Sequence, residues 1–103
     1  MPLRIGLAQV NPTVGDLAGN ADLVLGAAAA AAAQGARLAV FPEMVLTGYP
    51  VEDLALRPSF QDASRQTVHE LARRLASEGL ADLACLVGYL DYLDEDLVTT
   101  TGR

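Results

Sequence analysis

The sequence contains no lysine and no tryptophan, and it has a single cysteine and few aromatic residues. All seven basic residues are arginines, and the thirteen acidic residues leave a formal net charge of -6. A chain with this charge is not expected to use nucleic acid or an anionic membrane surface as its main partner. One cysteine cannot form an internal disulfide, so nothing in the composition indicates an oxidising compartment.

Long hydrophobic runs are also missing. The N-terminal segment MPLRIGLAQV has only a short apolar run, and the alanine-rich stretch 27–33 is too short to cross a bilayer. We therefore expect a cytoplasmic protein with no membrane partner. His69 is the only histidine, and the acidic residues that follow Tyr89 lack the spacing of a calcium-binding loop. We accordingly expect no metal site.

The residues that are present predict an α/β protein of one domain at most, because 51% of the 103 residues are hydrophobic. An apolar run at 3–10 predicts a first strand, and a loop rich in glycine and asparagine follows it. Asn20 is a suitable N-cap for an alanine-rich helix over 21–34, which Gly35 would end. A second apolar strand at 38–41 completes a strand–helix–strand unit, which predicts a parallel pair of strands.

The second half of the chain repeats the helix–strand order. Ser59 and Asp62 resemble a capping box, which predicts that a second helix begins there and runs to Gly79. A third strand is predicted at 83–90, an acidic turn after it, and the start of a fourth strand at 98–103. Because no later segment could pair with that fourth strand, we expect residues 1–103 to form an incomplete domain, with no second domain present.

Glu43 is the first candidate catalytic residue. Pro42 ends the second predicted strand, because proline cannot donate to a β-ladder, and Glu43 follows directly. Ligands of α/β proteins bind at the carboxyl ends of parallel strands. The apolar residues on both sides of Glu43 favour a carboxylate that acts as a general base near neutral pH. The alternative is an ordinary solvated acid in a loop.

Four segments resemble a known family. The segment AVFPEMVLTGY resembles the first active-site segment of the nitrilase (carbon–nitrogen hydrolase) superfamily. Its continuation, GYPVEDLALRPSF, resembles the glutamine amidotransferase domain at the N-terminus of glutamine-dependent NAD synthetases. The segments LRIGLAQVNPTVGDLAGN and LVGYLD are similar to the same subfamily. The resemblance extends over residues 3–91, nearly the whole chain.

The resemblance implies a fold, a reaction and two site residues. The fold would be the N-terminal portion of an α-β-β-α sandwich. The site would use a Glu–Lys–Cys triad, in which Glu43 is the general base, a lysine stabilises the oxyanion and a cysteine thiolate attacks the side-chain amide of glutamine. Tyr49 would line the glutamine pocket or the ammonia exit. The alternative for Tyr49 is a purely structural role in a Gly-Tyr-Pro turn.

Only Glu43 of that triad can be placed in this sequence. There is no lysine, and Cys85 lies inside a predicted strand, where a free cysteine usually behaves as a small buried hydrophobe. We therefore expect this chain alone to be inactive and to hold no cofactor. The resemblance implies that the full-length enzyme is a homo-oligomer. It would pass ammonia to a separate synthetase domain, missing here, which uses ATP and magnesium to amidate deamido-NAD.

Two other interpretations remain open from the residues. A stand-alone carbon–nitrogen hydrolase of the amidase or nitrilase type would share Glu43, although such enzymes do not as a rule carry the YPVEDLALRPSF extension. A non-catalytic interaction remnant would account for the absence of a lysine and of a suitably placed cysteine. Sequence beyond Arg103 would separate these interpretations.

Overall fold

A computed structural model describes residues 3–91 of the protein. Its strands are β1 (Ile5–Leu7), β2 (Leu38–Val40) and β3 (Ala84–Leu86), and its helices are α1 (Leu17–Ala33) and α2 (Pro58–Ser77). A short 3₁₀ helix, Glu52–Leu56, precedes α2. The predicted fourth strand and all but the first residue of the predicted acidic turn lie outside the described residues.

The three strands form one parallel sheet in the order β1-β2-β3. Ile5 pairs with Leu38, and Leu38 pairs with Ala84, so the three strands start level with one another. The predicted parallel α/β arrangement is therefore confirmed, with α1 connecting β1 to β2 and α2 lying between β2 and β3. Each strand is three residues long, which is shorter than the apolar runs predict, because only these three residues of each run pair in the sheet.

Both helices cover the same face of the sheet. Side chains alternate between the two faces along a strand. On the face that the helices cover, Ala39 is part of the hydrophobic core and Cys85 packs against it. A Cβ atom at Gly6 would stand 3.0 Å from the Cβ of Ala31 on α1. Small residues on both sides therefore let α1 lie very close to β1. The core is completed by Val24, Leu25 and Ala28 of α1, Leu71 of α2, and Phe41, Val45 and Leu46 after β2.

The opposite face of the sheet carries apolar side chains that no described residue covers. Ile5 is 48% exposed, Leu7 76% and Leu86 58%. An incomplete sandwich is expected to leave one face of its sheet uncovered, and residues 3–91 provide a layer on one face alone. The apolar run at 3–10 also predicts a buried first strand, and that prediction is wrong, because β1 is largely exposed within the described residues.

Helix α1 begins earlier than predicted. Asp16 is its N-cap, and the Asp16 carboxylate accepts a hydrogen bond from the backbone N–H of Gly19 at 3.0 Å. Asn20, which the sequence predicts as the cap, lies within the helix and is buried. Aspartate and asparagine are both favoured as caps, so the local sequence does not distinguish the two positions.

Helix α2 begins at Pro58, and its N-cap residue Arg57 makes no side-chain capping hydrogen bond. The predicted capping box at Ser59 does not form, because proline in the first turn already starts the helix. Both helix ends agree with the prediction: Gly35 and Gly79 adopt the left-handed conformation, with φ of 84° and 81°. Within residues 3–91, neither helix is long and apolar enough to cross a membrane.

Candidate active site

Glu43 lies at the carboxyl end of β2, the middle strand of the sheet. Beyond the strand, the backbone N–H of Phe41 still donates to the carbonyl oxygen of Leu86 at 3.1 Å. Phe41 is buried, Pro42 stops the ladder, and Glu43 begins a turn that runs through Thr47. The structure therefore places Glu43 where the sequence predicts it, at the edge of the sheet where parallel α/β folds bind ligands.

The turn over 43–47, which we call the glutamate turn, has an unusual backbone. Met44 has a φ of 61°, a left-handed conformation that costs a non-glycine residue about 1–3 kcal/mol. The Met44 carbonyl oxygen accepts hydrogen bonds from the Gly48 N–H at 2.8 Å and from the Thr47 hydroxyl at 3.3 Å. Val45, Leu46 and Thr47 are completely buried, so the turn packs inward while Glu43 stays exposed.

The exposure of Glu43 corrects one expectation. The apolar neighbours in sequence predict a carboxylate in apolar surroundings, but Val45 and Leu46 turn into the core and away from it. Within the described residues, therefore, the Glu43 side chain is not enclosed by apolar groups. Side chains that follow a strand end do not keep a fixed direction, so adjacency in sequence is a poor guide to their surroundings.

Two elements distant in sequence contact the glutamate turn. The Asn20 amide on α1 donates to the carbonyl oxygen of Leu46 at 2.8 Å. After β3, the carbonyl oxygen of Gly88 accepts the Leu46 N–H at 3.2 Å. Neither residue is predicted from the sequence as part of the site. The one signal in the sequence that points to Asn20 is a polar residue close to the start of an apolar, alanine-rich helix, and the sequence prediction assigns it to the N-cap.

Tyr49 lies two residues after the end of the glutamate turn. It is 77% exposed, and it comes after Gly48, whose φ is 77°. Among the described residues, Glu43 and Tyr49 line a cavity of about 260 Å³. The structure therefore brings together the two residues that the sequence predicts for the site. The 3₁₀ helix follows them, with Glu52 and Asp53 in its first turn.

Cys85 is poorly suited to act as the nucleophile. It lies in the middle of β3, paired with Ala39 of β2, and packs against the hydrophobic core. Burial raises the pKa of the Cys85 thiol. Because the thiolate is the reactive form, this environment makes the sulfur less nucleophilic at neutral pH. His69 is exposed on α2, and in residues 3–91 no three histidine, cysteine or acidic side chains are grouped so as to hold a metal ion.

The segment after β3 is held to α2. The Ser64 hydroxyl, which is completely buried, accepts the backbone N–H of Leu90 at 3.0 Å. Arg65 forms an ion pair with Asp91 at 3.1 Å, and the Tyr89 hydroxyl donates to the same carboxylate at 3.0 Å. The hydrogen bond to Asp91, with a smaller contribution from burial, raises the pKa of Tyr89. These contacts fix the chain on the C-terminal side of Gly88.

The parallel sheet, the helices on one face and the glutamate at the end of the middle strand define an α/β domain of nitrilase type. Residues 4–90 match the model of the carbon–nitrogen hydrolase family. The chain belongs to this family.

Curated relatives and solved structures refine the comparison. The chain is 43% identical over 94 residues to the glutamine-dependent NAD(+) synthetase of Thermotoga maritima. The aligned residues cover 91% of this chain but 16% of that relative. It is 56% identical over 57 residues to the Rhodobacter capsulatus enzyme of the same name, covering 55% of the chain and 10% of the relative. The chain therefore spans a small part of the length of these relatives.

Two classes of solved structure resemble the fold. The glutamine-dependent NAD+ synthetase of Acinetobacter baumannii, solved with ADP, matches with a TM-score of 0.72 at 30% identity, over 89% of this chain and 16% of that one. An amidase from Nesterenkonia sp. matches with a TM-score of 0.59 at 34% identity, over 70% of this chain and 28% of that one. In another structure, a variant of the Nesterenkonia sp. AN1 amidase carries glutamine in place of a glutamate, and acrylamide has been added to its active-site cysteine.

Proposed function

We propose that this chain provides the general base of a glutamine-hydrolysing site, as the N-terminal part of the glutaminase domain of a glutamine-dependent NAD synthetase. The observation that carries the proposal is the position of Glu43. It lies at the carboxyl end of the middle parallel strand, in a chain that is 43% identical over 91% of its length to a protein of that name.

In the proposed reaction, the Glu43 carboxylate accepts the proton of a cysteine thiol as the sulfur attacks the side-chain amide carbon of glutamine. Glu43 then gives that proton to the departing nitrogen, so ammonia leaves and a glutamyl thioester remains. A water molecule, deprotonated by the same carboxylate, then attacks the thioester carbonyl carbon; the C–S bond breaks, glutamate is released, and the departing sulfur takes the proton back from Glu43. A lysine ammonium stabilises the oxyanion in both halves of the reaction. The exposed position of Glu43 leaves its carboxylate accessible for these transfers.

The lysine and the cysteine of this reaction come from outside the 103 residues. The sequence has no lysine, and its one cysteine, Cys85, packs against the core in β3. Tyr49 supplies part of the wall of the glutamine pocket or of the ammonia exit. Its position beside Glu43 at the same cavity supports that role.

The ammonia is used by a separate synthetase domain that amidates deamido-NAD with ATP and magnesium. We assign none of those ligands to this chain, because its sequence has no glycine-rich phosphate-binding loop. We further propose that the protein is cytoplasmic and homo-oligomeric and that it binds neither nucleic acid nor a membrane. The net charge of -6 supports the absence of an anionic partner.

The proposal is tested by measuring ammonia release from glutamine by the protein expressed from its complete reading frame. Glu43→Gln should lower kcat by about 10²- to 10⁴-fold, the range for loss of a general base. Glu70→Gln, which changes an exposed acid on α2, is the matched control and should keep wild-type kcat. The 103-residue chain alone should release no ammonia. Normal turnover by Glu43→Gln, or any turnover by the chain alone, would overturn the proposal.

A second candidate is a stand-alone amidase, which the similarity to the Nesterenkonia enzyme supports. The two candidates differ in substrate. A glutaminase should hydrolyse glutamine and respond little to simple aliphatic amides, whereas an amidase should show the reverse preference. If the complete reading frame supplies neither a lysine nor a second cysteine and hydrolyses no amide, a non-catalytic interaction role is the remaining explanation.

A further inference from the structure

We infer that Asn20 and Gly88 are positioning residues for Glu43. They contact the glutamate turn from opposite ends of the chain, one from α1 and the other from the segment after β3. The inference rests on the proposed function in one respect, namely that Glu43 is the general base. Neither residue touches the reacting atoms. Both act through the backbone that carries Glu43.

Asn20 joins two loops through both of its amide donors and its amide oxygen. It is 1% exposed, and its amide nitrogen donates to the carbonyl oxygens of Thr13 and Leu46, each at 2.8 Å. Its amide oxygen accepts the backbone N–H of Thr13 at 2.8 Å. A buried amide is unfavourable unless every polar atom is paired. The side chain is therefore fully satisfied in this one arrangement, which ties the glutamate turn to the loop before α1.

Gly88 holds the other side of the turn through the absence of a side chain. A Cβ atom at this position would lie 2.5 Å from the backbone nitrogen of Met44 and 3.2 Å from the Cα of Glu43. The closest of these distances is shorter than real Cβ contacts, so any other residue would push the Glu43–Met44 peptide away. The hydrogen bond from the Leu46 N–H to the Gly88 carbonyl oxygen, at 3.2 Å, stabilises this close contact.

These two contacts matter because Glu43 has little packing of its own. Its side chain is exposed, and its neighbour Met44 is held in the left-handed conformation, with a φ of 61°. Such a conformation persists only where surrounding contacts impose it. The location of the Glu43 carboxylate is thus decided by the backbone of the turn, and hence by Asn20 and Gly88.

Kinetics of glutamine hydrolysis by the protein from its complete reading frame provide the first measurement. Asn20→Asp preserves the shape of the side chain but replaces the donor to Leu46 with a carboxylate, and Gly88→Ala adds the Cβ atom. Each should lower kcat by about 10- to 100-fold, because a misplaced catalytic group costs that much, while KM stays nearly constant. Wild-type kcat in a folded Asn20→Asp protein would overturn the inference, even if Gly88→Ala fails to fold.

Two control variants separate positioning from stability. Gly26→Ala adds a Cβ atom to a helical glycine with no heavy atom within 4 Å and should keep wild-type kinetics. Leu71→Ala removes a core side chain on α2 and lowers stability but leaves Asn20 and Gly88 themselves unaltered. Its folded fraction should therefore keep wild-type kcat. An equal loss of kcat in Leu71→Ala would show that the effect is general destabilisation, which would overturn the inference.

Amide hydrogen exchange measured by NMR provides a readout that needs no enzyme activity. The N–H groups of Leu46 and Gly48, which donate to Gly88 and Met44, should exchange faster in both test variants than in either control. Unchanged exchange would overturn the inference. If the wild-type protein hydrolyses no glutamine, the proposed function fails, and the exchange data alone decide whether Asn20 and Gly88 hold the turn.

Discussion

Gly48 lies so close to Val14 that a Cβ atom on the glycine would stand 2.6 Å from the Val14 Cα. The two residues belong to loops that leave adjacent strands, one before α1 and the other directly before Tyr49. The neighbouring hydrogen bond from the Gly15 N–H to the Thr47 carbonyl oxygen, at 2.8 Å, joins the same two loops. The edge of the candidate site is therefore built from backbone packed against backbone, with no room for a side chain between them.

The first prediction follows from that contact. Gly48→Ala should destabilise the protein by about 1–3 kcal/mol, because alanine is strained at a φ of 77° and its methyl group meets Val14. Urea unfolding measures the loss. Gly26→Ala is the matched control, since its methyl group enters open space in a helix and should stabilise by up to about 1 kcal/mol. An unchanged unfolding midpoint in Gly48→Ala would contradict the observed contact.

Cys85 should react slowly with iodoacetamide in the native protein. Burial raises the pKa of its thiol, so a smaller fraction is thiolate at any pH below that value than in the unfolded chain. The rate at pH 8 should accordingly be lower in buffer than in concentrated urea, and it should rise as the pH increases. A native rate equal to or above the unfolded rate would restore Cys85 as a candidate nucleophile.

Ser64→Ala should cost about 1–3 kcal/mol, because it leaves the Leu90 N–H without the hydroxyl that accepts it at 3.0 Å in a buried site. Ser77→Ala is the matched control on the same helix, where the exposed hydroxyl donates to the Arg74 carbonyl oxygen. Its effect should stay within about 0.5 kcal/mol. The gain in helix propensity is common to both variants, so the difference between their unfolding free energies isolates the Leu90 bond. Equal values would contradict the prediction.

Tyr49→Phe should alter binding and leave stability almost unchanged. The residue is 77% exposed, so the unfolding free energy should move by no more than about 0.5 kcal/mol. If the hydroxyl contacts glutamine, its removal should raise KM several-fold, as expected for one lost hydrogen bond. Tyr89→Phe is the control, since that hydroxyl donates to Asp91 instead. A KM that shifts equally in both variants would remove Tyr49 from the glutamine pocket.

Features that depend on local pattern were predictable. The order strand, helix, strand, helix, strand follows from apolar runs separated by glycine-rich turns, and the left-handed Gly35 and Gly79 end their helices as expected. Glu43 follows a proline that no ladder can accommodate, so its place at a strand end was also determined locally. The start of α1 was not, because Asp16 and Asn20 are equally good caps and burial alone assigns them different roles.

By itself, the sequence determined the α/β class, the carboxylate at a strand end and the lack of any lysine to serve beside it. The tertiary structure decided that Glu43 stays exposed, that Asp16 and not Asn20 caps α1, and that Asn20 and Gly88 both contact the glutamate turn. The physical reason is the sequence separation over which each kind of interaction acts. Propensity and periodicity act over a few neighbouring residues, whereas these contacts join residues 26 or more positions apart that only packing brings together.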